Sequence, residues 1–213
     1  MKYKYVLFDW DGCLAKTLEL WLEAYQQTLN ELGIKKTDRE IGTVFGSWQG
    51  GSELGAPDND IFFKRVDSIV EDRIPKVDLH ENAVDTIHKL IRSNYILIIL
   101  SSSYKKFIIP ALKLHKIQDA FGFVITGEDV TKHKPDPEAI NLAIEKLGGN
   151  KKKYIMVGDS YKDVMAAKNA GIDSILYFPK EHGIFYDYED LIKTEPTHTI
   201  SNLKEIYDLI TRK

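Results

Sequence analysis

Two carboxylates one residue apart end the first apolar run of the chain, Val6-Leu7-Phe8-Asp9-Trp10-Asp11-Gly12. In an extended chain alternate side chains face the same way, so Asp9 and Asp11 can aim together at a small volume past a strand end, and Gly12 lets the backbone turn away. Anions held that close repel unless a cation lies between them or one takes a proton. The pair therefore suits metal binding with nucleophilic and acid–base work, or the plain turn chemistry of Asp-Gly. Other polar groups also stand where apolar runs stop: Ser101, followed by Ser102 and Ser103, after 95–100; Asp159 after 154–157; and Lys134 in the loop before a helix. In an open parallel sheet the ligand crevice lies outside the carboxyl ends of the strands, so these groups are expected to converge. Asp9 and Asp159 offer hard oxygen ligands suited to Mg²⁺. Ser101 and nearby backbone N–H groups can hold phosphate oxygens, and Lys134 brings positive charge to where phosphoryl transfer gathers negative charge. One carboxylate can then attack phosphorus to form an aspartyl phosphate. Asp11 is left to give a proton to the leaving alcohol and later take one from water.

The elements that must position these groups follow from periodicity. Leu18, Trp21, Leu22, Tyr25, Leu29 and Leu32 recur at helical spacing over 17–32, with Gly33 to stop the helix. Thr37-Asp38-Arg39-Glu40 reads as a capping box, 46–55 as a glycine-rich loop, and 59–74 as a helix closed by Pro75. Beyond that, strands alternate with helices: a helix over 82–94 with Ala83, Ile87, Leu90 and Ile91 on one side, strands at 95–100, 123–126, 154–157 and 174–178, and helices after 103, over 137–147 and over 164–170. Asp136 is expected to cap the helix that Pro137 opens. The tail adds a helix near 187–193, a strand at 198–200 and a helix over 202–210. This grammar predicts an α/β fold, a mostly parallel sheet flanked by helices. Residues 1–14 and 79–213 form its core, and 15–78 a small helical cap inserted after the first strand.

The ordered set resembles the haloacid dehalogenase-like phosphohydrolases, in the helical-cap branch that includes phosphoglycolate phosphatase and β-phosphoglucomutase. Asp9-Trp10-Asp11-Gly12 looks like the first motif of that family, Ser101 the second, Lys134 in Lys132-His133-Lys134-Pro135-Asp136-Pro137 the third, and Gly158-Asp159-Ser160-Tyr161-Lys162-Asp163 the fourth. The resemblance spans nearly the whole chain. It implies a Rossmann-like core, Asp9 as nucleophile, Asp11 as acid/base and, through its backbone carbonyl, metal ligand, and Asp159 as metal ligand. Asp163 is implied in support, orienting Lys134 or a metal-bound water, or else it is only a first-turn carboxylate favoured by the helix dipole. Where the family most often has threonine, this chain has Cys13, and a thiol is the weaker hydrogen-bond donor toward Asp11.

With 29 Lys and Arg against 32 Asp and Glu, the net charge of −3 offers no broad attraction for nucleic acid or anionic lipid. The expected partner is a small phosphorylated metabolite, bound by a monomer or homodimer. A lone cysteine and the absence of a signal-like apolar stretch read as a cytoplasmic protein. The six histidines lack metal spacing and read as structural or surface residues, and Lys151-Lys152-Lys153 as a solvated loop. Ser102 binds phosphate or, like Ser103, caps the following helix, and Trp48 either packs the cap or closes over substrate. The expected activity is a Mg²⁺-dependent phosphatase. The same motifs would serve a phosphosugar mutase. A dehalogenase needs neither Asp11 nor Asp159, and a phosphoaspartate receiver module would be shorter and would carry its accepting aspartate on a later strand.

Overall fold

The computed structural model describes residues 2–211. Six strands, β1 (Tyr5–Phe8), β2 (Ile96–Leu100), β3 (Phe121–Ile125), β4 (Tyr154–Gly158), β5 (Asp173–Tyr177) and β6 (His198–Ile200), form one sheet in the order β3-β2-β1-β4-β5-β6. Every neighbouring pair is parallel. This is the doubly wound order, and it differs from the 2-1-3-4-5 order of receiver modules. The apolar runs are continuous because both faces are covered. Val6, Phe8, Leu97, Ile99, Ile155 and Val157 pack on one side with Ile87, Leu90, Ile108 and Leu112. Tyr5, Leu7, Ile98, Leu100 and Met156 pack on the other with Ile140, Ala143, Ala166 and Ala167. Those partners come from α5 (Ala83–Arg92) and α6 (Lys105–Leu114) on the first face, and from α7 (Glu138–Leu147) and α8 (Tyr161–Ala170) on the second.

Between β1 and α5 the chain inserts α1 (Leu18–Glu31), α2 (Asp38–Val44), α3 (Gly50–Glu53) and α4 (Asn59–Val70). The Thr37–Glu40 capping box opens α2 as its spacing predicts, and the Asp58 carboxylate accepts from Ile61 N at 2.9 Å to open α4. The insertion has its own apolar cluster around Tyr25, Leu29, Ile41, Phe62 and Val66, and the cluster continues into Phe107, Val164 and Phe185 of the main body. The tail supplies α9 (Tyr188–Ile192) and α10 (Glu205–Thr211).

Several expectations need correction. The segment 46–55 is not loop throughout, since it holds the single turn of α3. The helix expected over 59–74 stops at Val70, and a 3₁₀ turn at Ile74–Lys76 carries Pro75. Proline has no N–H to give and disfavours the helical conformation before it. Ile91 does not share the buried side of α5, which is Ala83, Thr86, Ile87 and Leu90. One residue past Leu90 is about 100° further round the axis, and Ile91 is 38% exposed. The N-cap of α7 is Pro137 rather than Asp136, although the Asp136 carboxylate still accepts from Glu138 N at 3.0 Å. Lys151–Lys153 is a 3₁₀ turn. Among the described residues no helix is long and apolar enough to cross a membrane.

The contrast between the two isoleucines is measurable. Ile98→Ala, in the middle of the sheet, is expected to lower the unfolding free energy by ~2–5 kcal/mol, whereas Ile91→Ala should change it by no more than ~0.5 kcal/mol. Urea melts of both variants read the difference.

Candidate active site

In this strand order the chain leaves β1 between β2 and β4, where the connections run off to opposite sides and a crevice opens beyond the strand ends. The Asp9 N–H donates to Val157 O at 2.9 Å, so the first aspartate remains in register with β4. At Gly12 φ is +75°, and an added Cβ would collide with the Asp159 carboxylate. Glycine is thus required there both for the turn and for the approach of the fourth-strand carboxylate to the first-strand loop.

Asp9, Asp159 and Asp163 are all buried, and each places an oxygen within 4.8 Å of the others. Lys134 stands among them, its Nζ 2.8 Å from Asp9 Oδ1 and 2.6 Å from Asp163 Oδ1. Asp163 Oδ2 accepts from the backbone N–H and hydroxyl of Ser160, closing a capping box that starts α8 three residues before its predicted beginning. Asp163 thus caps α8 and at the same time contacts Lys134. Asp159 Oδ2 is buried with no hydrogen-bond partner. Three carboxylates against one ammonium leave the cluster short of positive charge. Burial, and after it the charge of Asp163, pushes the Asp9 carboxyl up to about 7 despite the opposing pull of Lys134. Burial, then Asp163 and Asp9, holds Asp159 well above the usual carboxylate range. For Lys134 burial opposes the charge, but Asp163 and Asp9 outweigh it and keep the ammonium protonated. The oxygen-only donor set, with one orphaned oxygen, fits a hard divalent cation such as Mg²⁺.

Asp11 lies in the same cavity but turns its carboxylate elsewhere. Trp21 Nε1, on the inserted helix α1, donates to Asp11 Oδ1 at 2.8 Å, and Ser101 Oγ donates to Oδ2 at 3.3 Å. Ser101 Oγ also accepts from the Ser103 N–H at 3.0 Å. Neither Ser102 nor Ser103 caps α6, whose N-cap is Tyr104 with no side-chain bond, so the capping alternative is corrected. Both serines line the cavity. Trp48 also lines it, donating to Ser102 O at 2.9 Å and stacking on His133 at 4.4 Å. Cys13 does not face Asp11. Its thiol reaches Val157 O at 3.6 Å in full burial, and burial, followed by the Asp9 charge, raises its pKa, which is the setting of an inert structural thiol.

Three participants escape sequence reasoning. Trp21 reads there only as an apolar helix position. His182 Nδ1 lies 3.8 Å from Asp159 Oδ2, with its ring 5.5 Å from His80. Burial, and then His80, pull its pKa down to about 3, so this contact joins a neutral ring to the carboxylate. Lys162 is buried with its Nζ 2.6 Å from Phe45 O, and burial lowers its pKa to about 8. The spacing of the fourth motif contains Lys162, but nothing in the pattern says which way it turns.

The cavity measures about 110 Å³ and is walled on the insertion side by Leu18, Trp21, Tyr25, Phe45 and Phe63. A phosphate ester entering it would meet Asp9, Asp11 and Lys134 and the aromatic wall that Trp21 joins to Asp11.

The profile of a family described as haloacid dehalogenase-like hydrolase matches residues 6–177. A pyrophosphatase PpaX of Bacillus velezensis is 33% identical over 172 residues, covering 78% of this chain and 79% of the relative. A pyrophosphatase PpaX of Bacillus mycoides is 27% identical over 224 aligned positions, covering 100% and 99%. Among solved structures, one from Bacteroides fragilis described as a haloacid dehalogenase-like hydrolase superposes with a TM-score of 0.85 at 26% identity, over 96% of this chain and 100% of the other. One from Haemophilus somnus described as a phosphoglycolate phosphatase gives 0.84 at 18% identity, over 99% of each chain, which is a likeness of fold.

The charge imbalance makes opposite predictions for two substitutions. With chelator present at neutral pH, Lys134→Met is expected to cost ~3–5 kcal/mol of stability because it strands buried carboxylates. Asp159→Asn should instead raise Tm, by ~2–4 °C for each kcal/mol of repulsion relieved. Calorimetric melts of the two variants check both signs.

Proposed function

The chain belongs to the haloacid dehalogenase-like hydrolases, and from that premise we propose that it hydrolyses a small phosphorylated metabolite through an aspartyl phosphate on Asp9. The observation that carries this reading is the pairing of Asp9, held at one oxygen by Lys134, with Asp11 two residues on in the same cavity. Asp9 attacks phosphorus as the bond to the leaving oxygen breaks, and Asp11 gives that oxygen its proton. Water then attacks the phosphorus of the aspartyl phosphate and loses a proton to Asp11, and inorganic phosphate leaves with Asp9 regenerated. Lys134 stabilises the charge that builds on the phosphoryl oxygens, and Ser102 with the backbone N–H groups after β2 holds them in place. Held by Asp9 and Asp159, with the Asp11 backbone carbonyl, Mg²⁺ would supply the positive charge that lets an anionic phosphoryl group approach a carboxylate. Ser101 acts through Asp11, which it shares with Trp21.

Residues 15–78 serve in this reading as a cap whose aromatic wall keeps bulk water from the first transfer. A cavity of about 110 Å³ suits phosphate on a short leaving group better than a hexose phosphate, which favours hydrolysis over sugar-phosphate isomerisation. The relatives named pyrophosphatase and phosphoglycolate phosphatase agree with that size.

Phosphate release from short phosphate esters is expected to need Mg²⁺, to stop with chelator, and to fall at least ~10³-fold in Asp9→Asn with the melt of the variant intact. Glucose 1-phosphate should yield free phosphate or nothing, and an isomer would point to a mutase. An Asp9→Asn enzyme that keeps its turnover would remove Asp9 from the role of nucleophile.

A further inference from the structure

One cation in the cavity has no task in the reaction described above, and Asp67, the other charged lining residue left without one, is already met by Lys106 at 3.5 Å. Lys162 is 5% exposed and lines the cavity wall. Its ammonium donates to Phe45 O at 2.6 Å, and among the described residues it makes no ion pair. A carbonyl takes one of the three protons an ammonium can give. Apart from the Tyr161 ring, whose centroid lies 5.8 Å from the ammonium, the position is costly for a cation. Burial without a counter-ion costs free energy. Lys162 is the second residue of α8, in the first turn, where the helix dipole repels positive charge. Lys134 opposes its charge, and Glu53 and Asp163 favour it only from beyond ion-pair contact. If the side chain served only to donate to the carbonyl of Phe45, a neutral donor would do so without these costs.

We infer that Lys162 binds a second anionic group of the substrate. The preferred substrates are then small phosphorylated acids or phosphoanhydrides, with the transferred phosphoryl group on Asp9 and a carboxylate or second phosphate on Lys162. The inference rests on the phosphatase reading and deepens it. The incoming anion supplies the counter-ion that the fold withholds, and its charge-assisted hydrogen bonds use the donors that Phe45 leaves free. A cavity of about 110 Å³ is of the size that phosphate joined to glycolate or to a second phosphate would fill.

The test compares substrates of matched size. In the presence of Mg²⁺, kcat/KM is measured for 2-phosphoglycolate, for pyrophosphate and for 2-hydroxyethyl phosphate, which lacks the second charge. Wild-type enzyme, Lys162→Met and Lys162→Arg are compared. The wild type is expected to prefer at least one of the two anionic substrates, and which one tells carboxylate from phosphate. Lys162→Met should cut that preference ~10–100-fold, chiefly through KM, and Lys162→Arg should retain most of it. If Lys162→Met does not fold, Lys162→Gln takes its place in the same ratio. A parallel loss on all three substrates would mean that Lys162 only anchors the loop at Phe45, and an unchanged ratio would likewise overturn the inference, while the phosphatase reading stands in both cases. Wild-type enzyme that turns over none of the three contradicts the phosphatase reading itself.

Discussion

Beyond the ends of β1 and β4, one ammonium stands among three buried carboxylates, and the surrounding structure is arranged to tolerate that imbalance. Desolvated charges of like sign are among the costliest arrangements a fold can hold. Here the sheet order makes them neighbours, the missing side chain of Gly12 lets Asp159 come close, and the capping box of α8 fixes the carboxylate that grips Lys134. The same carboxyl group thus starts a helix and pairs with the buried ammonium of Lys134. What remains uncompensated, chiefly Asp159 Oδ2, is what a divalent ion would relieve.

The insertion is part of this site as well as its cover. Trp21 of α1 orients Asp11, Trp48 of the α2–α3 connection is fastened to Ser102, and Phe45 beside it accepts from Lys162. Each of these bonds joins an inserted residue to one of the motif loops. The apolar cluster of the inserted helices also runs without a break into α6 and α8. Movement of these helices would therefore act on Asp11 and on the loop after β2 together, coupling access to the cavity with the placement of its polar groups.

Much of this is legible in the chain itself. A parallel strand buried on both faces leaves an unmistakable apolar run, and a polar residue at its end is conspicuous, so Asp9, Ser101 and Asp159 announced themselves. Lys134 did so through its place before a proline-led helix. Side chains whose role depends on direction were not legible. Trp21 and Ile91 both fit an apolar helical pattern, yet one donates a hydrogen bond to a carboxylate and the other faces solvent. Cys13 follows the motif closely but turns its thiol toward Val157. His182 is distant from Asp159 in sequence, and only the path of the chain after β5 brings them together.

The account stands on a cluster whose negative charge is completed by a divalent cation. Titration calorimetry of Mg²⁺ into chelator-stripped protein measures that directly. One equivalent is expected to bind to the wild type and none to Asp159→Asn, with both proteins folded. Equal binding by the two, or no binding to folded wild-type protein at millimolar Mg²⁺, would contradict it.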